Sequence, residues 1–215
     1  MYQFLFFDFD GTISDTGPGI MRSAAYALAR YGLHPAEAEL RAFIGPAPNH
    51  RFREYYGMDE ARTAEATGLF RAMYEARGKF EHSLYPGMAE LLRELSAAGR
   101  SLAVASAKPL PLVREILSGD GIMGCFTAVC GSDPEGRPVE KGAILGAAME
   151  ALGVTDPGSA VMIGDRSLDV LGAQAQGLAC VGVSYGYAEP GELEAAGAIK
   201  ICASVAELRE FLMGA

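Results

Sequence analysis

The sequence is short of basic residues and of cysteine, and it contains no long apolar run. Lysine and arginine number 18 against 27 aspartates and glutamates, and the net charge of −9 disfavours binding to a nucleic-acid polymer. Charged residues interrupt every apolar run, so no membrane span is predicted. The chain enters an apolar segment without the basic region or cleavage site of a signal peptide, and we therefore expect a cytoplasmic location.

The few cysteines argue against redox or zinc chemistry. The four positions are Cys125, Cys130, Cys180 and Cys202, and their spacing matches no metal-binding pattern. Three of them lie in or beside apolar runs that are typical of strands. We therefore expect reduced thiols in the protein core.

Short apolar runs alternate with helical patterns along most of the 215 residues. The runs predicted as strands are Phe4 to Phe9, Ser101 to Ala105, Thr127 to Cys130, Ala160 to Ile163 and Ala179 to Val183. None has a polar face, which is typical of parallel strands covered by helices on both sides. The alternation predicts an α/β fold with a doubly wound parallel sheet. Ser204 and Glu207 are spaced for a capping box at a final helix.

One long segment departs from this alternation. Residues 16–81 contain helical patterns and no convincing strand, and a crossover between parallel strands needs far fewer residues. We therefore expect an inserted helical domain at 16–81 and an α/β core formed by 1–15 and 82–215. Four aromatic side chains are expected to pack inside the insertion, namely Tyr55, Tyr56, Phe70 and Tyr74.

Polar residues follow several of the predicted strands at the same end. Asp8 and Asp10 end the first strand and point the same way, because strand side chains alternate. The carboxyl ends of parallel strands form the ligand crevice of open α/β sheets. The groups expected there from the rest of the chain are Ser106, Ala107, Lys108, Lys141, Asp165 and Asp169. Clustered carboxylates repel unless a cation lies between them, and hard oxygen ligands suit Mg²⁺.

Four motifs resemble those of the haloacid dehalogenase-like hydrolases in order and spacing: "DFDGT", "VASAK", Lys141 and "GDRSLD". The resemblance covers essentially the whole chain and implies a Rossmann-like core with a helical cap inserted after the first strand. Within that family, "FIGP", "SAKP", "GDRSLD" and "YGYAEPGELEAAGA" look closest to bacterial 5′-nucleotidases and phosphoglycolate phosphatases.

The resemblance implies a role for each carboxylate. Asp8 would attack phosphorus and form an aspartyl-phosphate. Asp10 would protonate the leaving oxygen, then take a proton from water, and its backbone carbonyl would reach the metal. Mg²⁺ would thus be held by Asp8, Asp10 and Asp165, while Asp169 would support this set or steady Lys141.

The remaining motif residues would bind the phosphate. Ser106 and the Ala107 amide would hold phosphoryl oxygens, and Lys141 would neutralise charge on the transferring group, with Lys108 as a competitor for that role. Gly11 permits a tight turn, and Thr12 can bond backbone or phosphate there.

These roles imply a Mg²⁺-dependent phosphatase acting on a small phosphorylated metabolite, with nucleoside 5′-monophosphates favoured narrowly over phosphoglycolate. The cap would select the substrate, and its candidate residues are Arg41, Gly45, Asn49 and His50. The alternatives are a phosphoglucomutase-like phosphoryl transferase and, from another class, a phospho-acceptor signalling receiver. Receivers are shorter, however, and need no insertion of this kind. A monomer or a homodimer is expected.

Overall fold

The computed structural model describes residues 2–133 and 139–214. The chain divides into two compact units. The first consists of Met1–Ser14 and Leu84–Ala215, and the second of Asp15–Ser83. None of the helices in the described part of the chain is both long and apolar enough to cross a membrane.

Strands and helices alternate in the first unit, and the second is mainly helical. In chain order, the described strands are β1 Phe4–Phe7, β2 Ser14–Asp15, β3 Ser83–Leu84, β4 Ser101–Pro109, β5 Ala128–Ser132, β6 Ala160–Gly164, β7 Ala179–Val183 and β8 Lys200–Cys202. The helices are α1 Gly17–Ala29, α2 Glu37–Arg41, α3 Pro48–Tyr56, α4 Glu60–Ala76, α5 Met88–Ala97, α6 Leu110–Gly119, α7 Lys141–Leu152, α8 Ser167–Ala175, α9 Glu192–Ala196 and α10 Val205–Met213.

Six strands form one sheet in the order β5-β4-β1-β6-β7-β8, and all neighbours pair in parallel. The predicted α/β fold with a doubly wound parallel sheet is therefore confirmed. The first strand is shorter than predicted, since it ends at Phe7, and β4 continues past Ala105 to Pro109. The edge strand β8 was not predicted, because it has only three residues and begins with an exposed lysine.

The sheet is covered on both faces, as its apolar strands predict. Side chains of β1 alternate between two buried clusters: Leu5 and Phe7 belong to one, and Phe6 to the other. The first cluster includes residues of α5, α6 and α10, and the second includes residues of α7, α8 and α9. Each fully buried side chain of this size contributes about 1.5–3 kcal/mol relative to exposure.

Two helices have a residue at one end that favours a helix boundary there, and the one at Ser204 was predicted. Gly153 follows α7 with φ of 67°, the left-handed conformation that closes a helix at low cost for glycine. Ser204 caps α10, because its Oγ accepts a hydrogen bond from the Glu207 N–H at 3.2 Å. These ends position the helices against the sheet.

The prediction of thiols in the protein core holds for two of the four cysteines. All four are free; Cys180 and Cys202 are buried, whereas Cys125 and Cys130 are partly exposed.

The second unit has its own aromatic core. Phe43 lies 5.0 Å from Phe52 and 6.5 Å from Phe70, measured between ring centroids, and Tyr74 stacks on Phe70 at 6.1 Å. The prediction that Tyr55 packs in this core is wrong: its side chain is 64% exposed. The side of α3 that faces this core instead carries Phe52 and Tyr56, which are four residues apart and both contact Phe43.

Candidate active site

The central strand β1 delivers the first carboxylate to the carboxyl edge of the sheet. The N–H of Asp8 donates to the Ile163 carbonyl at 2.9 Å, so the ladder between β1 and β6 continues one residue past Phe7. Asp165 follows β6 directly, and β4 on the other side of β1 carries Ser106 and Lys108. The order β4-β1-β6 therefore brings three of the sequence motifs to one edge.

Three buried carboxylates lie close together at this edge. Ligand oxygens of Asp8, Asp165 and Asp169 all fall within 4.8 Å of one another. The predicted metal set contains Asp10 in place of Asp169. The Asp10 side chain is instead 2.9 Å from the Lys108 ammonium, which leaves the backbone carbonyl as its predicted contact with a metal. That contact stays a prediction.

Lys141 neutralises part of this charge. Its Nζ lies 2.5 Å from Asp8 Oδ1 and 2.6 Å from Asp169 Oδ1, and none of the three side chains is more than 11% exposed. Burial acts to lower the pKa of Lys141, but Asp169 and Asp8 outweigh it and raise that pKa above its ordinary value. The lysine is therefore a permanent cation between two carboxylates.

The single lysine does not compensate the whole cluster. Burial raises the pKa of Asp8 to about 7; Lys141 opposes this shift, while Asp169 and Asp10 add to it. Burial also raises the pKa of Asp165 above its ordinary value, with Asp169 and Asp8 as further causes. A group of carboxylates with this surplus of negative charge favours a cation.

Asp165 offers a carboxylate oxygen for a cation. Its Oδ2 accepts the Tyr187 N–H at 2.7 Å, whereas its Oδ1 is buried and has no hydrogen-bond partner among the residues that the structure describes. A buried polar atom without a partner costs about 1–3 kcal/mol, which makes Oδ1 a candidate ligand atom for a bound cation. An orphaned carboxylate oxygen beside Asp8 matches the oxygen ligands that Mg²⁺ prefers.

The two candidate lysines serve different carboxylates. Lys141 contacts Asp8 and Asp169, whereas Lys108 contacts Asp10. Beside Lys108, the buried Ser106 hydroxyl accepts the Lys108 N–H at 3.2 Å, and Ala107 is exposed. Whether Ser106 and the Ala107 amide bind phosphate stays a prediction.

The turn after β1 requires glycine at its centre. Gly11 has φ of 82°, and a Cβ there would lie 2.1 Å from Asp165 Oδ2. No other residue can occupy this position without moving the Asp165 carboxylate. Thr12 is fully buried, and within the described part of the chain its Oγ1 has no hydrogen-bond partner; its predicted contact with phosphate stays a prediction.

The predicted specificity residues all lie in the second unit. Arg41 is the last residue of α2, Gly45 has φ of 97° in the following turn, and Asn49 and His50 lie in the first turn of α3. His50 Nε2 is 2.9 Å from Glu54 Oε1 on the exposed side of that helix. Their contact with a substrate stays a prediction.

Sequence reasoning missed Glu192 as part of this region. Its carboxylate accepts hydrogen bonds from Ser167 and Arg166, which follow Asp165 directly, and from the Glu189 N–H. The signal was present in "YGYAEPGELEAAGA", which indicates the branch of the family but assigns no role to its residues.

These hydrogen bonds predict a specific dependence of stability on pH. Burial acts to raise the pKa of Glu192, but the bonds from Ser167, Glu189 and Arg166 lower it from 4.5 to about 2. A carboxylate whose pKa is lowered by folding stabilises the protein above its unfolded pKa, and this contribution is lost as pH falls through the folded pKa. We therefore expect Glu192→Gln to flatten the fall in unfolding free energy between about pH 4.5 and 2. Urea denaturation across this range measures it, with the exposed Glu194→Gln as control. Parallel curves for wild type and Glu192→Gln would contradict the expectation.

Comparison with known proteins identifies the family. A model of the haloacid dehalogenase-like hydrolases matches residues 5–183. A 5′-nucleotidase of Pseudomonas aeruginosa is 38% identical and aligns over 98% of this chain and 96% of its own. The tyrosine-protein kinase PtkA of Mycobacterium tuberculosis is 36% identical over 98% of this chain and 72% of its own. A phosphoglycolate phosphatase of Yersinia pestis is 32% identical over 84% of this chain and 80% of its own.

A solved structure agrees with these relatives. The crystal structure of a predicted phosphatase from Clostridium acetobutylicum superposes with a TM-score of 0.93 at 35% identity, and the match covers 100% of both chains. The resemblance of the four motifs is thereby confirmed. The chain belongs to the haloacid dehalogenase-like hydrolases and is a hydrolase of the phosphatase type.

Proposed function

We propose that this protein is a Mg²⁺-dependent phosphomonoester hydrolase that acts on nucleoside 5′-monophosphates through an aspartyl-phosphate. One observation carries the proposal. The Asp8 carboxylate is held 2.5 Å from the Lys141 ammonium, in a group with Asp165, whose Oδ1 has no hydrogen-bond partner. This arrangement presents a carboxylate nucleophile between a permanent cation and a position for a metal.

The contacts of each carboxylate indicate which of them hold the metal. Asp169 uses Oδ1 for Lys141 and Oδ2 for the Arg166 N–H, so it is left to hold the lysine. Asp8 and Asp165 remain as side-chain ligands, together with the backbone carbonyl of Asp10. When bound, Mg²⁺ would neutralise charge on the phosphoryl oxygens and on the nucleophile.

Hydrolysis then proceeds in two steps, the formation of the aspartyl-phosphate and its hydrolysis. Asp8 attacks phosphorus and forms the P–O bond of the aspartyl-phosphate while the ester oxygen leaves with a proton from Asp10. Water next attacks phosphorus, its proton returns to Asp10, and Asp8 and inorganic phosphate are released. Lys108, 2.9 Å from Asp10, would orient that carboxyl group towards the leaving oxygen.

The phosphoryl oxygens would be held by Ser106, by the Ala107 amide and by Lys141. Charge in phosphoryl transfer is spread over these oxygens, so donors that are already positioned account for much of the rate. Gly11 and Thr12 would shape the turn on which the phosphate rests.

We propose that the second unit, Asp15–Ser83, is the substrate-selecting cap. The nucleotide preference is supported by the 5′-nucleotidase of P. aeruginosa, whose similarity extends over 98% of this chain. Phosphoglycolate is the second candidate, because the phosphoglycolate phosphatase of Y. pestis is similar over 84% of this chain.

A phosphate-release assay tests the proposal. Purified protein is incubated with Mg²⁺ and with matched concentrations of nucleoside 5′-monophosphates, sugar phosphates and phosphoglycolate. We expect release to be fastest with the nucleotides and to stop when EDTA removes Mg²⁺. Release with none of these esters would overturn the proposed activity, and a preference for phosphoglycolate would overturn the nucleotide assignment alone.

Two further measurements on the same protein, of sugar-phosphate isomerisation and of tyrosine phosphorylation, separate the other outcomes. Isomerisation of a sugar phosphate without net release would indicate a phosphoryl transferase. Transfer of the γ-phosphate of ATP to tyrosine, as the name of the M. tuberculosis relative describes for that protein, would indicate a kinase.

A further inference from the structure

We infer that Glu192 is a positioning residue that sets the Mg²⁺ affinity of the site by fixing the Asp165 carboxylate. The inference rests on the proposed function, because it assigns Asp165 Oδ1 to the metal. Residues 185–192, called the strap below, have no role in the proposed mechanism, and the motif resemblance assigned them none.

Glu192 joins the strap to the loop that follows Asp165. Its Oε1 accepts hydrogen bonds from Ser167 N at 2.7 Å, Ser167 Oγ at 2.8 Å and Arg166 Nε at 3.0 Å. Its Oε2 accepts the Glu189 N–H at 2.9 Å. The side chain is only 13% exposed. Both carboxylate oxygens therefore accept hydrogen bonds: Oε1 from the loop after Asp165, and Oε2 from the strap itself.

The other end of the strap contacts Asp165 itself. The Tyr187 N–H donates to Asp165 Oδ2 at 2.7 Å. Gly186 packs so closely that a Cβ there would lie 2.4 Å from the Gly11 carbonyl oxygen and 2.5 Å from Asp165 Cβ. The Tyr185 hydroxyl donates to the Thr12 carbonyl at 3.1 Å. The strap thus contacts both the turn after β1 and the carboxylate after β6.

This arrangement decides which oxygen of Asp165 meets the metal. Because Tyr187 occupies Oδ2, the unpartnered Oδ1 is the atom left to bind Mg²⁺. Without Glu192, the Arg166 Nε, Ser167 and the Glu189 N–H lose their shared acceptor, and the loop after Asp165 loses these hydrogen bonds to the strap. Groups that orient a metal ligand through hydrogen bonds typically contribute 10- to 100-fold to metal affinity.

The test measures Mg²⁺ binding to metal-free protein by titration calorimetry and Mg²⁺ activation of phosphate release on the same samples. For Glu192→Ala we expect the Kd for Mg²⁺ to rise about 10- to 100-fold. We expect kcat at saturating Mg²⁺ to stay within about threefold of wild type, since the reacting groups are unchanged. Glu194→Ala, an exposed substitution in the same helix, should leave both quantities unchanged.

Glu192→Gln provides a second, milder variant, because it keeps one acceptor oxygen and loses the charge. Its Kd is expected between those of wild type and Glu192→Ala, and it replaces the alanine variant if that one does not fold. Wild-type affinity in the folded variant would overturn the inference, as would a fall in kcat without a change in Kd. If the wild-type protein binds no Mg²⁺ and releases no phosphate, the proposed function itself fails, which is a different result.

Discussion

Replacing Asp8 by asparagine is expected to lower kcat for phosphate release by at least about 10⁴-fold. Asparagine has nearly the size of aspartate and can still face Lys141, but its amide does not attack phosphorus. The loss should appear at saturating Mg²⁺ and substrate, because the group removed is the one that forms the new bond. Steady-state phosphate release with a nucleoside 5′-monophosphate measures it.

Two controls make this result specific to the nucleophile. Asp156→Asn changes an exposed aspartate that accepts the Gly158 N–H, a bond that asparagine can also accept, and it should retain wild-type kcat. Trapping the reaction with acid should recover a phosphorylated protein from wild type and none from Asp8→Asn. Turnover of the Asp8→Asn variant near the wild-type rate would overturn the aspartyl-phosphate mechanism.

Replacing Lys141 by methionine is expected to reduce both activity and stability. The ammonium lies between Asp8 and Asp169, and removing it leaves two buried carboxylates without their partner. Breaking a buried ion pair in this way costs about 3–5 kcal/mol of unfolding free energy. The loss of a cation that stabilises the transferring phosphoryl group should lower kcat by about 10²- to 10³-fold or more. Urea denaturation and steady-state assays measure the two effects.

A second substitution separates the two roles of this lysine. Adding Asp169→Asn to Lys141→Met removes one of the two carboxylates that have lost the ammonium. The unfolding free energy should therefore rise part of the way back to that of the wild type, while activity stays low. Lys200→Met, which neutralises an exposed lysine, should change neither quantity. Full activity in Lys141→Met would contradict the assignment of this lysine and favour Lys108.

The elements that could be predicted from the sequence are those with a strong local pattern. Strand β7 begins and ends where its apolar run does, at Ala179 and Val183. Such a run is readable because both faces of a central parallel strand are buried. The three-residue β8 escaped prediction because an edge strand carries half of that signal, and its existence depends on pairing with β7.

The candidate site was predictable in composition and less so in pairing. The motifs indicate that Asp8, Asp165 and Lys141 share one edge of the sheet, because parallel strands end on the same side. They left open which lysine meets which carboxylate. Lys108 lies in β4 and Lys141 begins α7, and which carboxylate each of them reaches depends on how these two elements pack, which the spacing along the chain does not show.

Glu192 illustrates the limit more sharply. It lies 25 residues from Ser167 along the chain, and a lone glutamate at the start of a short helix is ordinary in a sequence. Its hydrogen bonds with Arg166 and Ser167 exist only because β6 and β7 are neighbours in the sheet, so that the segments that follow them meet.

The order and chemistry of the residues alone determined the central strands of the sheet and the identity of the acidic groups, because burial and strand direction follow from local patterns. Tertiary structure alone decided that Asp10 pairs with Lys108, that Asp165 keeps one oxygen without a partner, and that Glu192 joins the strap to the Asp165 loop. These features depend on distances of a few ångströms between segments remote in the chain. Such distances are fixed by the packing of the whole core, and no single segment of the sequence determines them.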